Sequence, residues 1–240
     1  MKGSNSFTGL RCVLLVIVVA LFTTYSMAGT ITVYSAQDDG ASITGPWPNS
    51  AAAEAAFMAA IGSSNLLNFE NLPLGYYTPV NGPGVSIGLS SPNYGDGLSG
   101  ISVTTFGNLY GFNTTPGGAQ WLGFPVGTAG FSFSAPQNYF GIWLTGVQTV
   151  FTSSFTLYFS DDGGHTLTTL NLPINVNGGT AYFGFTDTAT FPEVWITNLS
   201  NDAWGVDDLR YHATPEPSSL LLLGSGLLGI AANIRRKFLQ

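Results

Sequence analysis

The side chains of this chain that are best suited to chemistry are its thirteen acidic residues. A glycosidase needs two carboxylates that face each other across a cleft, and thirteen acids leave room for such a pair. Most of them, however, lie in segments typical of turns, such as Asp38-Asp39, Asp96 and Asp161-Asp162. His165 and His212 stand apart from each other and from any nucleophile motif. The sequence therefore favours a protein without catalytic activity, with a polysaccharide-active glycoside hydrolase as the alternative.

Two acidic segments lie at opposite ends of the central part of the chain. The first is Leu67-Asn68-Phe69-Glu70-Asn71-Leu72-Pro73, and the second is Trp204-Gly205-Val206-Asp207-Asp208-Leu209-Arg210-Tyr211. The pair resembles carbohydrate-binding-module sandwiches, in which a Phe-Glu near the first strand meets an Asp-Asp on the last strand. The resemblance implies a buried structural Ca²⁺ with Glu70 and Asp207 or Asp208 among its ligands, and calcium prefers such hard oxygens.

The alternation of side chains along a strand separates the two aspartates. Adjacent residues point to opposite faces, so only one of Asp207 and Asp208 should face inward. Val206 shares the parity of Asp208 and begins the apolar side, which favours Asp208. The alternative to a metal site is an ordinary strand end at Glu70 and a solvated edge on which Arg210 pairs locally.

Aromatic side chains are the second candidate for a binding site, because sugar rings stack on exposed aromatic faces. Tyr76, Tyr77 and Tyr94 are flanked by Gly, Pro and Asn, and we expect them to bind a ligand at the surface. Most aromatic residues of a β-sandwich pack in its core. Four tryptophans within strand-like runs are expected there: Trp121, Trp143, Trp195 and Trp204.

The elements that must position these residues are strands. Apolar residues recur at every second position, as in Phe131 and Phe133, which is the pattern of a strand with one buried face. Gly and Pro separate such runs, and this predicts an all-β fold, an antiparallel β-sandwich of jelly-roll type, over residues 29–213. The candidate strands are 29–35, 66–70, 85–89, 101–106, 121–124, 130–134, 139–144, 155–160, 166–172, 180–186, 193–199 and 205–211.

One stretch, residues 50–62, has helical character. It is rich in Ala, the strongest helix former, and Asn49 or Ser50 can cap its start. Gly62 can end it. We expect its apolar side to pack on the body: Phe57, Met58 and Ile61.

The end of the chain combines three features in a fixed order. Pro215-Glu216-Pro217 is a rigid acidic tripeptide, residues 218–234 are largely apolar, and Arg235-Arg236-Lys237 is basic. About 17–25 apolar residues cross a bilayer, so residues 218–234 are predicted to form a transmembrane helix. The basic cluster holds the C-terminus on the cytoplasmic side.

This order resembles the PEP-CTERM sorting signal of bacteria that make extracellular polysaccharide. The resemblance implies that residues 214–240 are a sorting signal, which an exosortase, a membrane transpeptidase-like enzyme, processes at the Pro-Glu-Pro site. It also implies a precursor anchored in the inner membrane and a product at the cell surface or in an extracellular biofilm matrix. The alternative is a C-terminal anchor that is never cleaved.

The beginning of the chain has the features of a secretory signal peptide. Lys2 and Arg11 precede an apolar run over residues 12–22, and Ser26-Met27-Ala28 forms a small-x-small site. We therefore predict a signal peptide over residues 1–28 that is cleaved after Ala28. An uncleaved N-terminal anchor is the alternative.

Removal of both ends leaves a strongly acidic body. Its only Lys or Arg is Arg210, whereas all thirteen acids lie between Asp38 and Glu216. This charge disfavours nucleic acid as a partner, because nucleic-acid binding needs a basic surface. The single cysteine, Cys12, leaves with the signal peptide, which excludes disulfides from the body. Cations and neutral glycans remain as partners.

These features together predict an exported, non-catalytic protein of the cell surface or extracellular matrix. It would bind glycan or assemble with matrix components after sorting through its C-terminal motif. The alternatives are a secreted glycoside hydrolase and a purely structural surface protein.

Overall fold

The computed structural model describes residues 29–89, 100–103, 107–124, 126–160, 166–198, 200 and 202–212 of the 240-residue chain. The predicted signal peptide, the C-terminal tail with its predicted transmembrane helix, Tyr94 and Asp161-Asp162 lie outside these residues. Among the described residues, no helix has the length and apolar character that a bilayer crossing requires.

One helix and eleven strands make up the described part of the chain. In chain order they are β1 Ile31–Asp39, α1 Pro48–Ile61, β2 Asn65–Leu67, β3 Val80–Gly82, β4 Val85–Leu89, β5 Gly100–Ser102, β6 Trp121–Phe124, β7 Gly127–Thr145, β8 Phe155–Phe159, β9 Thr168–Asn171, β10 Gly179–Asn198 and β11 Trp204–Tyr211. The prediction of an all-β body with one short helix near its start is confirmed.

All the strands belong to one antiparallel sheet with the order β5-β6-β11-β7-β10-β8-β9. β1 pairs with β10, β2 with β11, β4 with β7 and β3 with β4. Two long strands, β7 and β10, run through the whole sheet and pair with each other along most of their length. They divide the sheet into an open half (β3, β4, β8, β9, the start of β7 and the end of β10) and a covered half (β1, β2, β5, β6, β11 and the remainder of β7 and β10).

The sequence predicted two separate strands in the place of β7 and two in the place of β10, and both predictions were wrong. Residues 130–134 and 139–144 lie in a single strand, as do residues 180–186 and 193–198. Pro136 interrupts the sequence pattern of β7, but proline is tolerated where a strand is irregular. The pairing of β7 with β10 indeed shifts register around Phe191 and then continues.

The sheet folds over on itself around an aromatic core. Phe131 of the open half meets Phe140 of the covered half edge to face, with ring centroids 5.4 Å apart. Phe159 and Phe185 stack across the same interface at 4.7 Å. The sequence predicted the two separate sheets of a jelly-roll sandwich, whereas the described strands form one continuous antiparallel sheet whose two halves pack against each other.

The helix α1 covers the outer face of the covered half. Phe57 is fully buried, and its ring lies 6.0 Å from that of Tyr139 and 5.8 Å from that of Tyr182. Gly141 and Gly184 lie beneath it, and a Cβ atom on either would come within 2.8 Å of the Phe57 ring. These two glycines form the depression into which α1 docks, as the apolar side of the helix predicts.

The start of α1 is capped from another strand. Trp47 occupies the N-cap position and makes no side-chain cap, so the prediction of a cap by Asn49 or Ser50 was wrong. The carboxylate of Asp38 in β1 instead accepts hydrogen bonds from the N–H groups of Asn49 (3.1 Å) and Ser50 (2.8 Å). An acidic acceptor satisfies N–H groups that have no partner within the helix, and it complements the helix dipole.

Candidate functional site

The three carboxylates predicted as metal ligands converge on one loop, residues 113–120. Asp207 is fully buried, and its Oδ2 accepts hydrogen bonds from the N–H groups of Thr114 (2.6 Å) and Thr115 (3.1 Å) and from the Thr114 hydroxyl (3.1 Å). Its Oδ1 accepts from the N–H of Asp208 at 2.9 Å. Burial, followed by the neighbouring Asp208 carboxylate, raises the pKa of Asp207 to about 8. Both carboxylate oxygens of Asp207 thus accept hydrogen bonds from the protein itself, and those from Thr114 and Thr115 fix the conformation of the loop.

Glu70 and Asp208 hold the same loop with one oxygen each. Glu70 Oε1 accepts from the N–H groups of Ala119 (2.8 Å) and Gln120 (2.9 Å). Asp208 Oδ1 accepts from the Thr115 hydroxyl at 2.7 Å, and burial raises the pKa of Asp208. The second oxygens of Glu70 and Asp208 accept no hydrogen bond from the described part of the chain.

Both aspartates face inward, which corrects the prediction that only one would. Asp207 is 0% exposed and Asp208 6%. The pairing of β11 with β7 shifts register between Asp207 and Arg210, and Asp208 has a φ of 46°. Such a bulge breaks the alternation on which the parity argument depends. Arg210, which the alternative to a metal site would pair locally, forms an ion pair of 2.7 Å with Glu54 of α1.

This cluster suits a calcium ion only in part. Calcium takes about six to eight oxygen ligands. Asp207 does not fit, since its oxygens are occupied by donors, whereas Glu70 and Asp208 can each offer one oxygen. Within the described ranges, no group of three His, Cys, Asp or Glu side chains is placed to hold a metal ion. A calcium ion here would therefore depend on main-chain or amide oxygens and water for most of its ligands.

The tyrosines predicted to bind a ligand have different surroundings. Tyr76 is 62% exposed, as expected. Tyr77 is half-buried against the core, burial raises its pKa, and its hydroxyl donates to the carbonyl of Pro73 at 3.0 Å. Tyr94 lies outside the described residues. These tyrosines do not form a common site within the described structure.

Trp195 is the aromatic residue that the sequence argument placed wrongly. Trp121, Trp143 and Trp204 are buried as predicted, but Trp195 lies half-buried on the outer face of the open half. It stacks there on Tyr158 of β8, with ring centroids 5.4 Å apart and planes 12° from parallel. The sequence did contain a signal for the outward position of Trp195. Trp195 stands between the buried Val194 and Ile196 of β10, and successive side chains of a strand point to opposite faces.

A shallow groove of about 630 Å³ passes beside this stacked pair. Its floor is one cross-strand row of the sheet, in which Gly88 pairs with Gly130, Gly130 with Trp195, and Trp195 with Tyr158. The indole lies directly on Gly130, where a Cβ atom would come within 3.1 Å of it. The remaining lining residues are mostly small, hydroxylic or apolar: Thr78, Pro79, Ser86, Leu89, Thr128 and Ser132.

The groove has the composition of a site for uncharged, ring-shaped ligands. The Trp195 and Tyr158 rings offer an apolar platform, and the Ser and Thr hydroxyls can donate and accept hydrogen bonds. None of the described lining residues is charged. A few polar groups on a largely apolar depression are typical of ligand sites.

A comparison with protein families adds information on the tail. Residues 213–237 match the model of the PEP-CTERM protein-sorting motif. The chain carries a PEP-CTERM sorting signal. This bears out the resemblance seen in Pro215-Glu216-Pro217, the apolar segment and the basic end. No curated protein matches the chain.

The PEP-CTERM motif indicates where the protein is sorted. It indicates an exported protein whose membrane-anchored precursor is sorted by an exosortase to the cell surface. The matched residues begin two residues after the end of β11 at Tyr211, which pairs with Phe140 in the covered half. The groove lies on the other half of the sheet and is therefore separate from the point at which the tail leaves the body.

Proposed function

We propose that this PEP-CTERM protein is a non-catalytic surface or matrix protein that binds a neutral glycan of the extracellular polysaccharide. The observation that carries the proposal is the stacked pair of Trp195 and Tyr158 on the solvent side of the sheet, beside the glycine-floored groove. The helix α1 covers only the other half of the sheet. The outer face of the open half is therefore the surface that has room for a sugar chain.

The charge of the body supports a neutral ligand. Arg210 is the only Lys or Arg between residues 29 and 234, and it is bound to Glu54. Glycans that carry sulfate, phosphate or uronate would meet a field of carboxylates without a counter-charge. Sugar rings without charge need only an aromatic platform and hydroxyl partners, and the groove provides both.

Non-catalytic binding is supported by the lack of a pair of acids among the described residues at the groove. A glycosidase needs a pair of carboxylates at the bond that it cleaves. The described residues that line the groove include neither Asp nor Glu. We therefore expect the exported protein to release no reducing ends from the polysaccharide that it binds. Release of reducing ends would favour the glycoside hydrolase, and neither binding nor release would favour a purely structural role.

Trp195→Ala is expected to weaken binding to neutral oligosaccharides on a glycan array by at least about tenfold, a loss of about 1.4 kcal/mol. The melting temperature should fall only moderately, because the ring is half-buried on the outer face and outside the core, although it loses its stacking on Tyr158. Tyr76→Ala is the matched control, since it removes an aromatic ring that is exposed elsewhere. Loss of binding in Tyr76→Ala together with normal binding in Trp195→Ala would place the site elsewhere and contradict the proposal.

Gly88→Val tests the groove without removing the aromatic pair. A Cβ atom on Gly88 meets only one atom within 4 Å, the carbonyl oxygen of Gly130 at 4.0 Å. Valine also suits a strand better than glycine. We expect a folded protein of equal or higher melting temperature that binds the same oligosaccharides several-fold more weakly. Unchanged binding would show that the ligand does not enter the groove.

We also propose a structural calcium ion held by Glu70 and Asp208, without Asp207. Chelation by EDTA should then lower the melting temperature of the exported protein, by about 5–10 °C if calcium had been present at 100 times its Kd. Asp208→Asn should remove this sensitivity, whereas Asp39→Asn, in β1, should keep it. An unchanged melting curve of the unaltered protein in EDTA would refute the calcium site.

A further inference from the structure

The first described residue of the chain, Gly29, lies against a buried carboxylate. A Cβ atom on Gly29 would lie 1.6 Å from Asp187 Oδ1 and 2.5 Å from its Cγ, so a side chain at this position would have to displace the carboxylate. Because an amino nitrogen lies about 2.5 Å from the Cβ position of its own residue, the nitrogen of Gly29 is within about 4 Å of Asp187 Oδ1. Asp187 itself is only 4% exposed.

The neighbouring residues fix this approach. Ile31 of β1 pairs with Asp187 of β10, and the N–H of Thr30 donates to the Thr188 hydroxyl at 2.8 Å. Asp187 Oδ1 also accepts a hydrogen bond of 3.0 Å from the N–H of Ala189. The register of β1 against β10 therefore places Gly29 next to the Asp187 carboxylate.

A buried carboxylate is stable when a positive charge lies beside it. The body is poor in such charges, because Arg210 is the only Lys or Arg between residues 29 and 234 and forms an ion pair with Glu54. The predicted cleavage after Ala28 would create one more positive charge, and it would do so at Gly29.

We propose that Asp187 is the binding site for the amino terminus that removal of the signal peptide creates. A membrane protease with water as its co-reactant would hydrolyse the Ala28–Gly29 amide bond. The carboxylate stays with Ala28, and the nitrogen of Gly29 takes up protons and becomes an α-ammonium group. This group then pairs with the Asp187 carboxylate and fastens the start of β1 to β10, so that the body gains stability when it is released from the signal peptide. The proposal does not depend on glycan binding.

The melting temperature of the exported protein tests this ion pair through a double-mutant cycle. An alanine inserted between Ala28 and Gly29 moves the new amino terminus one residue away from Asp187, and Asp187→Asn removes the partner charge. We expect the insertion to lower the melting temperature by several degrees, and to have little further effect in the Asp187→Asn background. Equal effects of the insertion in both backgrounds would overturn the proposal. The mass of each protein verifies its amino terminus, and a mature chain that begins at another residue than Gly29 would also overturn it.

Amine labelling provides a second measurement that does not require the Asp187→Asn variant to be stable. The only lysines are Lys2, in the predicted signal peptide, and Lys237, in the tail, so the α-amino group is the only primary amine of the body. An ion-paired ammonium reacts slowly with an amine-reactive ester at neutral pH. We expect at least tenfold slower labelling at Gly29 in the folded protein than in the same protein in denaturant or in the insertion variant. Equal rates would refute the pairing.

Discussion

Asp207→Ala is expected to lower the free energy of unfolding by about 3 kcal/mol or more, or to prevent folding altogether. The carboxylate accepts hydrogen bonds from the N–H groups of Thr114, Thr115 and Asp208. Each buried donor left without an acceptor costs about 1–3 kcal/mol. Denaturant unfolding of the exported protein, followed by tryptophan fluorescence, measures the loss.

A matched control separates this network from a general effect of removing negative charge. Glu193→Ala removes a carboxylate from the outer face of the open half, where no hydrogen bond to it is found among the described residues. We expect it to change the free energy of unfolding by less than about 0.5 kcal/mol. If Asp207→Ala were as mild as Glu193→Ala, the loop over residues 113–120 would not depend on Asp207, and the structure of this cluster would be contradicted.

Phe57→Ala is expected to cost about 3–5 kcal/mol and to loosen α1 from the sheet. The ring is fully buried between the helix and the sheet, over the depression that Gly141 and Gly184 form. Its loss leaves a cavity that the surrounding rings of Tyr139 and Tyr182 cannot fill without moving. Thermal melting and proteolysis at α1 both report the effect.

Phe151→Ala is the control for this substitution, because the same ring is 56% exposed at position 151. A change of less than about 1 kcal/mol is expected there. Similar losses in the two variants would mean that α1 does not depend on Phe57 for its docking. Normal melting of Phe57→Ala would show that the helix contributes little to the body.

Much of this fold follows from the alternation of apolar residues. Val85–Leu89 and Trp121–Phe124 have the predicted bounds, and the helix differs from its prediction by one or two residues at each end. Local pattern decides these elements, since burial of one face is a property of each strand by itself. Phe57 could likewise be predicted as the buried side of the helix.

The sequence could not predict features that depend on contacts between distant residues. The cap of α1 comes from Asp38, which lies before the loop that leads into the helix. The inward position of both Asp207 and Asp208 depends on a bulge in the pairing of β11 with β7. Capping by a residue near the helix start and alternation of side chains along a strand are both sound local rules. In each case a contact between distant residues outweighed the local rule.

The candidate binding face could be predicted only in part. The alternation of Phe155, Leu157 and Phe159 already sets Tyr158 on the polar side of β8. The neighbour of Tyr158 across the strands, Trp195, is known only once the register of β8 and β10 is known. Sequence composition likewise does not show that α1 covers the covered half and leaves the open half to solvent.

We expect the described body to be exported and sorted through its tail. Intact-mass analysis of the protein recovered from outside the cells, or from their surface, tests this expectation. We expect a chain that begins at Gly29 and ends within or close to Pro215-Glu216-Pro217, with any attached lipid or glycan visible as added mass. Recovery of the chain only from the cytosol, with Met1 and Gln240 both present, would contradict it.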